Sequence, residues 1–181
     1  MKKILIGSIV GGILLFLWQF LSWSVLDLHK SIKKYTANQD SVLHFLESQL
    51  PGEGTYMLPT MKDGASMDDY NKMTTENAGK PWAQIAYHAK LDVAMGPNMI
   101  RGILVDIVTI ALFCWILSGL ANPRFGNIFI ASLLVGLIAF FSLPYTNSIW
   151  YKIADTNAHM IDALVSWGLI GIWLGWWYGK K

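Results

Sequence analysis

Two stripes of polar residues and a few scattered histidines carry what chemistry this chain can do. Gly102, Asp106, Thr109 and Phe113 recur at the i, i+4, i+7 and i+11 positions of a helix, so a carboxylate and a hydroxyl share one face of an otherwise apolar run. An aspartate at the centre of a membrane helix costs about 2.5 to 3.5 kcal/mol on insertion scales and needs a reason to be there. Asp106 is either hydrogen-bonded or protonated, locking two helices together, or it handles an ion, proton or ligand. Asp155, His159, Asp162 and Ser166 form a second stripe with the same spacing. Its first turn, Asp155 to His159, reads as loop or helix cap facing water, where a carboxylate suits the positive end of the helix dipole.

His29, His88 and His159, together with Asp27 and Asp92, fall on the same side of the expected topology and define a conceivable polar pocket. Imidazole and carboxylate suit a divalent metal, yet no HxxxH or ExxH spacing sets two ligands on one helical face, so no metal site is assigned. Solvated or hydrogen-bonded histidines are the plainer alternative. Serine, histidine and aspartate occur without a G-x-S-x-G elbow, which leaves no hydrolase triad and no catalytic residue to name. No cofactor is indicated.

Four apolar runs must position these groups. Ile4 to Leu26 carries no charge, Ile100 to Leu120 carries Asp106, Ile128 to Leu143 is uncharged, and Met160 to Tyr178 carries Asp162. At about 1.5 Å per residue each spans, or nearly spans, a hydrocarbon core of about 30 Å, and at that depth the backbone must satisfy itself as helix. Only 14% of the 181 residues are charged, against about 25% in soluble domains, which excludes a soluble globular reading. The net charge of +2 with scattered basic residues excludes a nucleic-acid partner. The lone Cys114 excludes an intrachain disulfide. The opening Met1-Lys2-Lys3 and its apolar run exceed the length of a signal h-region and read as an uncleaved anchor.

The expected fold is a membrane all-α bundle of four transmembrane helices. Residues 1–28 form the first helix, 29–98 an extracytoplasmic α+β insertion, and 99–181 the remaining three helices. Lys2, Lys3, Arg124, Lys180 and Lys181 place both termini on the cytoplasmic face of a multi-pass inner-membrane protein; Lys30, Lys33, Lys34 and Arg101 argue the other way. Trp173, Trp176 and Trp177 beside Lys180 and Lys181 make a membrane anchor. Gly7 and Gly11, and Gly171, Gly175 and Gly179, lay bare backbone along two helix stripes. These serve either packing of the first helix against the fourth or an interface with a protein partner or second copy. Pro144 is expected to end the third helix.

Within the insertion, Gln39 to Leu50 has helical periodicity and stops at Pro51. Thr55 to Leu58 reads as a strand, Ser66 to Lys72 as a helical turn, and Trp82 to His88 as a second strand paired with the first or, in competition, an interfacial helix. The order of Trp-Gln-Phe-Leu-Ser-Trp in the first span, His29 after it, the Gln39 to Leu50 helix, Gly54-Thr55-Tyr56-Met57-Leu58-Pro59 and three further spans resembles a family of small uncharacterised bacterial membrane proteins. The resemblance covers most of the chain and implies the architecture; it carries over no activity or binding residue. Two functions follow as expectations. One is a non-enzymatic accessory or scaffold subunit of a membrane complex. The other is a small-ligand, metal or ion-handling protein using an outward pocket around Asp106, His159 and Asp162, and a membrane enzyme ranks behind both.

Overall fold

The computed structural model describes residues 2–121 and 123–179, so Lys180 and Lys181 of the expected anchor lie outside the described residues. The chain divides into two compact units, one of residues 1–34 with 94–181, the other of residues 35–93. The first unit is helical: α1 is Lys2–Phe20, extended by a π-helical turn over Leu21–Val25. The second unit contributes α2 (Gln39–Gln49), β1 (Gly54–Leu58), α3 (Met67–Asn77) and β2 (Ala83–Tyr87). The chain then returns to the first unit with α4 (Met95–Ser118), α5 (Phe125–Phe140), a π-helical turn at Phe141–Tyr145, α6 (Thr146–Tyr151) and α7 (Thr156–Tyr178).

Among the described residues, four helices are long and apolar enough to cross a membrane: Lys2–Val25, Met95–Ser118, Phe125–Tyr151 and Thr156–Tyr178. The third overturns one expectation. Pro144 does not end it, because the π turn around it gives up the regular i to i−4 ladder where proline has no N–H to offer. Thr146 Oγ1 donates to the Phe141 carbonyl at 2.8 Å, and the helix runs on to Tyr151.

Packing follows the order α4, α1, α7, α5, each helix against the next. The core is built of Leu15, of Ile110, Phe113, Cys114 and Leu117 on α4, of Ile128 on α5, and of Trp167, Ile170, Leu174 and Tyr178 on α7. Small residues set the separations. A Cβ on Gly12 would lie 2.6 Å from the Ile107 Cα, so α1 and α4 meet backbone to backbone there. Gly7 and Gly11 face Cys114 and Ile110 of α4 together with Trp177 and Trp173 of α7. Gly171 and Gly175 are covered by Phe129 and Phe125 of α5, and Gly179 by the backbone at Phe125, so that stripe packs on the third span and not on α1. Trp173 and Trp177 donate to the Gly7 and Lys3 carbonyls at 3.1 and 2.8 Å, which sets α7 antiparallel to α1. Trp176 is exposed.

In the second unit β1 and β2 pair antiparallel, from Gly54 opposite Tyr87 to Leu58 opposite Ala83. The interfacial-helix alternative for Trp82 to His88 is thereby replaced by a strand. α3 starts with a capping box: Ser66 Oγ accepts from the Asp69 amide at 3.2 Å while the Asp69 carboxylate accepts from the Ser66 amide at 3.0 Å. Hydrogen bonds from the Ser66 side chain, then its backbone, hold the Asp69 carboxyl below the usual carboxylate range. A depressed folded value stabilises the cap above the unfolded value of about 3.9 and is lost as pH falls through the folded value. The first turn of α3 should therefore fray in acid, and Ser66→Ala should cost about 1 kcal/mol locally at neutral pH. Hydrogen exchange at the Asp69 and Tyr70 amides reads both effects; unchanged protection would contradict them.

Candidate functional site: a histidine between two carboxylates

The end of α1 and the start of α7 build one polar centre. After the π turn, Asp27 takes a left-handed conformation (φ 47°), tolerated by the short polar side chain, and turns the chain back on itself. A 3₁₀ turn at Lys30–Ile32 follows. The result tucks His29 under α1, its ring stacked on Trp23 at 3.8 Å between centroids and 6° between planes. On the other side, Lys152 ends α6 in a left-handed conformation (φ 53°), and Asp155 sits at the N-cap of α7.

His29 is completely buried, and both of its ring nitrogens meet carboxylates. Nδ1 lies 2.6 Å from Asp155 Oδ2 and Nε2 lies 2.8 Å from Asp162 Oδ2. The other Asp162 oxygen accepts the Trp18 indole N–H at 3.0 Å. Asp155 Oδ2 also lies 3.3 Å from His159 Nε2, and the His159 ring stands edge-on to His29 with centroids 4.8 Å apart. The side chains grade outward from His29 at 0% and Asp155 at 4% exposed to Asp162 at 19% and His159 at 28%. Burial of Asp155 corrects the expectation of a water-facing cap. Its carboxylate makes no cap hydrogen bond of its own and turns instead to the two imidazoles.

A neutral imidazole has one donor and one acceptor, so hydrogen bonds to carboxylates at both nitrogens require either an imidazolium or a carboxylic acid. A metal ion in place of the proton on Nε2 would take both the nitrogen and the carboxylate oxygen as ligands once the Asp162 carboxylate draws back from the ring. His29, His159 and Asp162 each place one such atom within 4.8 Å of the others, the one such group among the described residues.

The expected pocket of Asp106, His159 and Asp162 is therefore redrawn. Asp106 is buried but accepts from the Gln19 amide at 3.1 Å. Trp18 and Gln19 are adjacent on α1, about 100° apart around the helix, so one reaches Asp162 on α7 and the other Asp106 on α4. The two carboxylates flank α1 at nearly one height but on different faces. Thr109 sits half-buried on α4, with the Asp106 stripe. His88 is exposed in the other unit, beside a surface groove that includes Asp40, His44, Glu47 and Asp92. His29 and Asp155 are the members whose importance spacing alone did not reveal: each lies just outside a span, and only the chain reversal brings them together. No family model, no curated protein and no solved structure matches this chain.

Proposed function

We propose that the chain is a multi-pass membrane protein that handles a small cation at the His29, Asp155, His159 and Asp162 centre. The membrane reading is supported by an inverted distribution of side chains. Leu104, Val105, Val108 and Leu112 on α4, and Ile130, Leu134 and Ile138 on α5, face outward. Ser8, Ser22, Asp106, Ser132 and Ser166 lie inside. A soluble bundle would reverse this, since polar groups at an outer helix face are free in water and costly in lipid. Lys3, Arg124 and Gly179 stand at one end of the helical unit, where Trp177 meets the Lys3 carbonyl and Gly179 meets Phe125. Basic residues gathered there support a cytoplasmic location for that end and for both termini, with the insertion extracytoplasmic.

The observation that carries the cation reading is the fully buried His29 ring bridging two carboxylates at the other end of the same helices. Two carboxylates grouped on one imidazole make an electronegative centre that favours a positive guest. The accessory-subunit reading relies on glycine stripes as contact surfaces; this chain fills them from within, which leaves it only the second unit. The cation reading predicts that Asp162→Asn, expressed in a deletion strain, reaches the membrane at wild-type level. It should fail like the deletion when divalent cations are supplied in excess or withheld by chelation. Full complementation by that variant would remove the reading.

A further inference from the structure

Three of the four residues in the centre have the identities and the reach of a metal ligand set, and the fourth has the place of an orienting group. Zinc bonds are about 2.0 to 2.2 Å long to imidazole and carboxylate, which sets tetrahedral ligand atoms about 3.4 Å apart. His29 Nε2 and Asp162 Oδ2 are 2.8 Å apart, so that pair opens by about 0.6 Å to admit the ion, and one ligand atom from each of the trio falls within 4.8 Å of the others. Burial holds the His29 ring in place, and Trp18 tethers the other Asp162 oxygen while leaving Oδ2 able to turn toward an ion. His159, the most exposed of the three, closes the remaining gap by rotating its side chain.

Asp155 supplies what a bare trio lacks. Histidines that bind metal almost always give their second ring nitrogen to a carboxylate or carbonyl, which fixes tautomer and ring plane. Asp155 Oδ2 lies 2.6 Å from His29 Nδ1, the nitrogen pointing away from Asp162, and 3.3 Å from a nitrogen of His159. One buried carboxylate thus orients the His29 ring and lies close beside His159. The Trp23 face stacked on His29 completes the packing of that ligand.

We infer that His29, His159 and Asp162 are the protein ligands of one divalent transition-metal ion, with Asp155 as the positioning residue for His29. This rests on the cation-handling reading and narrows it to a metal. Two nitrogens and one carboxylate oxygen suit zinc or ferrous iron, and disfavour calcium and magnesium, which take oxygen shells. Three protein ligands leave a coordination position open to water or a small anion, as in sites that exchange or activate a ligand.

The test uses the full chain, purified in detergent, stripped by chelation and titrated with Co²⁺ and then Zn²⁺. The inference expects one Co²⁺ per chain with the visible absorption of a four- or five-coordinate ion, displaced by stoichiometric Zn²⁺. His159→Ala and Asp162→Asn should weaken binding by at least about 100-fold. Asp155→Asn should weaken it by about 10- to 100-fold while keeping the stoichiometry, the loss typical of an orienting partner. His88→Ala and His44→Ala, in the other unit, serve as controls and should bind like wild type. Absence of stoichiometric Co²⁺ or Zn²⁺ binding by the wild-type chain overturns the inference. So does wild-type affinity in folded His159→Ala, a variant at the exposed edge whose folding is checked by circular dichroism. If the wild-type chain takes no metal while Asp162→Asn still fails in the cation-stressed strain, the metal assignment falls and the cation reading stands. If metal binds at these residues and Asp162→Asn complements fully, the metal site stands and the cation-handling role falls.

Discussion

His29→Ala is expected to lower the unfolding free energy by about 3 to 5 kcal/mol, the range for removing one partner of a buried charged pair. The loss has four parts. Asp155 keeps a buried carboxylate whose remaining imidazole is His159 at 3.3 Å, Asp162 is left with the Trp18 indole alone, and Trp23 loses the ring stacked on it. The vacated volume adds a cavity cost, since His29 has no exposed surface. His29→Gln, which can still donate one hydrogen bond, should lose less. Reversible unfolding in mixed micelles, followed by circular dichroism as denaturing detergent is raised, measures the difference. A cost below about 1 kcal/mol for the alanine variant would mean that the ring does not sit between the two carboxylates.

Gly12→Ala should be destabilising, at a net cost of about 1 to 3 kcal/mol. Alanine is about 1 kcal/mol better than glycine inside a helix, so the sign depends on what the new methyl meets. At Gly12 it meets the Ile107 Cα at 2.6 Å and the Ile107 nitrogen at 2.7 Å, backbone atoms that move only if α1 and α4 separate. At Gly7 the nearest atoms belong to the side chains of Trp177, Cys114 and Tyr178 at 3.2 to 3.3 Å, which can yield by a few tenths of an ångström. Gly7→Ala should therefore be nearly neutral. Gly136→Ala, facing Trp167 Cδ1 at 2.7 Å and the Ala163 carbonyl at 2.8 Å, should resemble Gly12→Ala. Equal stabilities for Gly7→Ala and Gly12→Ala would contradict the backbone contact between α1 and α4.

The sequence reveals elements better than neighbours, and these glycines show why. The runs at Ile4, Ile100, Ile128 and Met160 name themselves, because an apolar stretch of span length has few other solutions. The Gln39 helix, the Thr55 strand and its partner at Ala83 follow from periodicity and punctuation in the same way. A GxxxG spacing marks Gly7, Gly11, Gly171 and Gly175 but says nothing of the facing helix; Gly12 and Gly136, which make some of the tightest contacts, fit no such repeat. Pro144 misleads for a related reason. Its missing N–H breaks an α-helix only if the ladder stays regular, and a π turn is a tertiary choice.

The site divides along the same line. Asp155, His159 and Asp162 are legible as one face of α7, because helical spacing is a local property. The partner of that face is not local: His29 reaches it through a reversal at Asp27 in a left-handed conformation, which no periodicity announces. Asp106 and Asp162 are both carboxylates within apolar runs, and the sequence alone does not separate them. The adjacent Trp18 and Gln19 bind them on different sides of α1, and position along a helix does not distinguish a face.

X-ray absorption at the zinc edge of the stoichiometrically loaded chain tests the central claim most directly. The account predicts a first shell of two imidazole nitrogens and one or two oxygens at about 2.0 to 2.2 Å, with the multiple-scattering signature of histidine, and one imidazole fewer in His159→Ala. A shell of oxygens alone, a sulfur contribution from Cys114, or an unchanged imidazole count in that variant would contradict it.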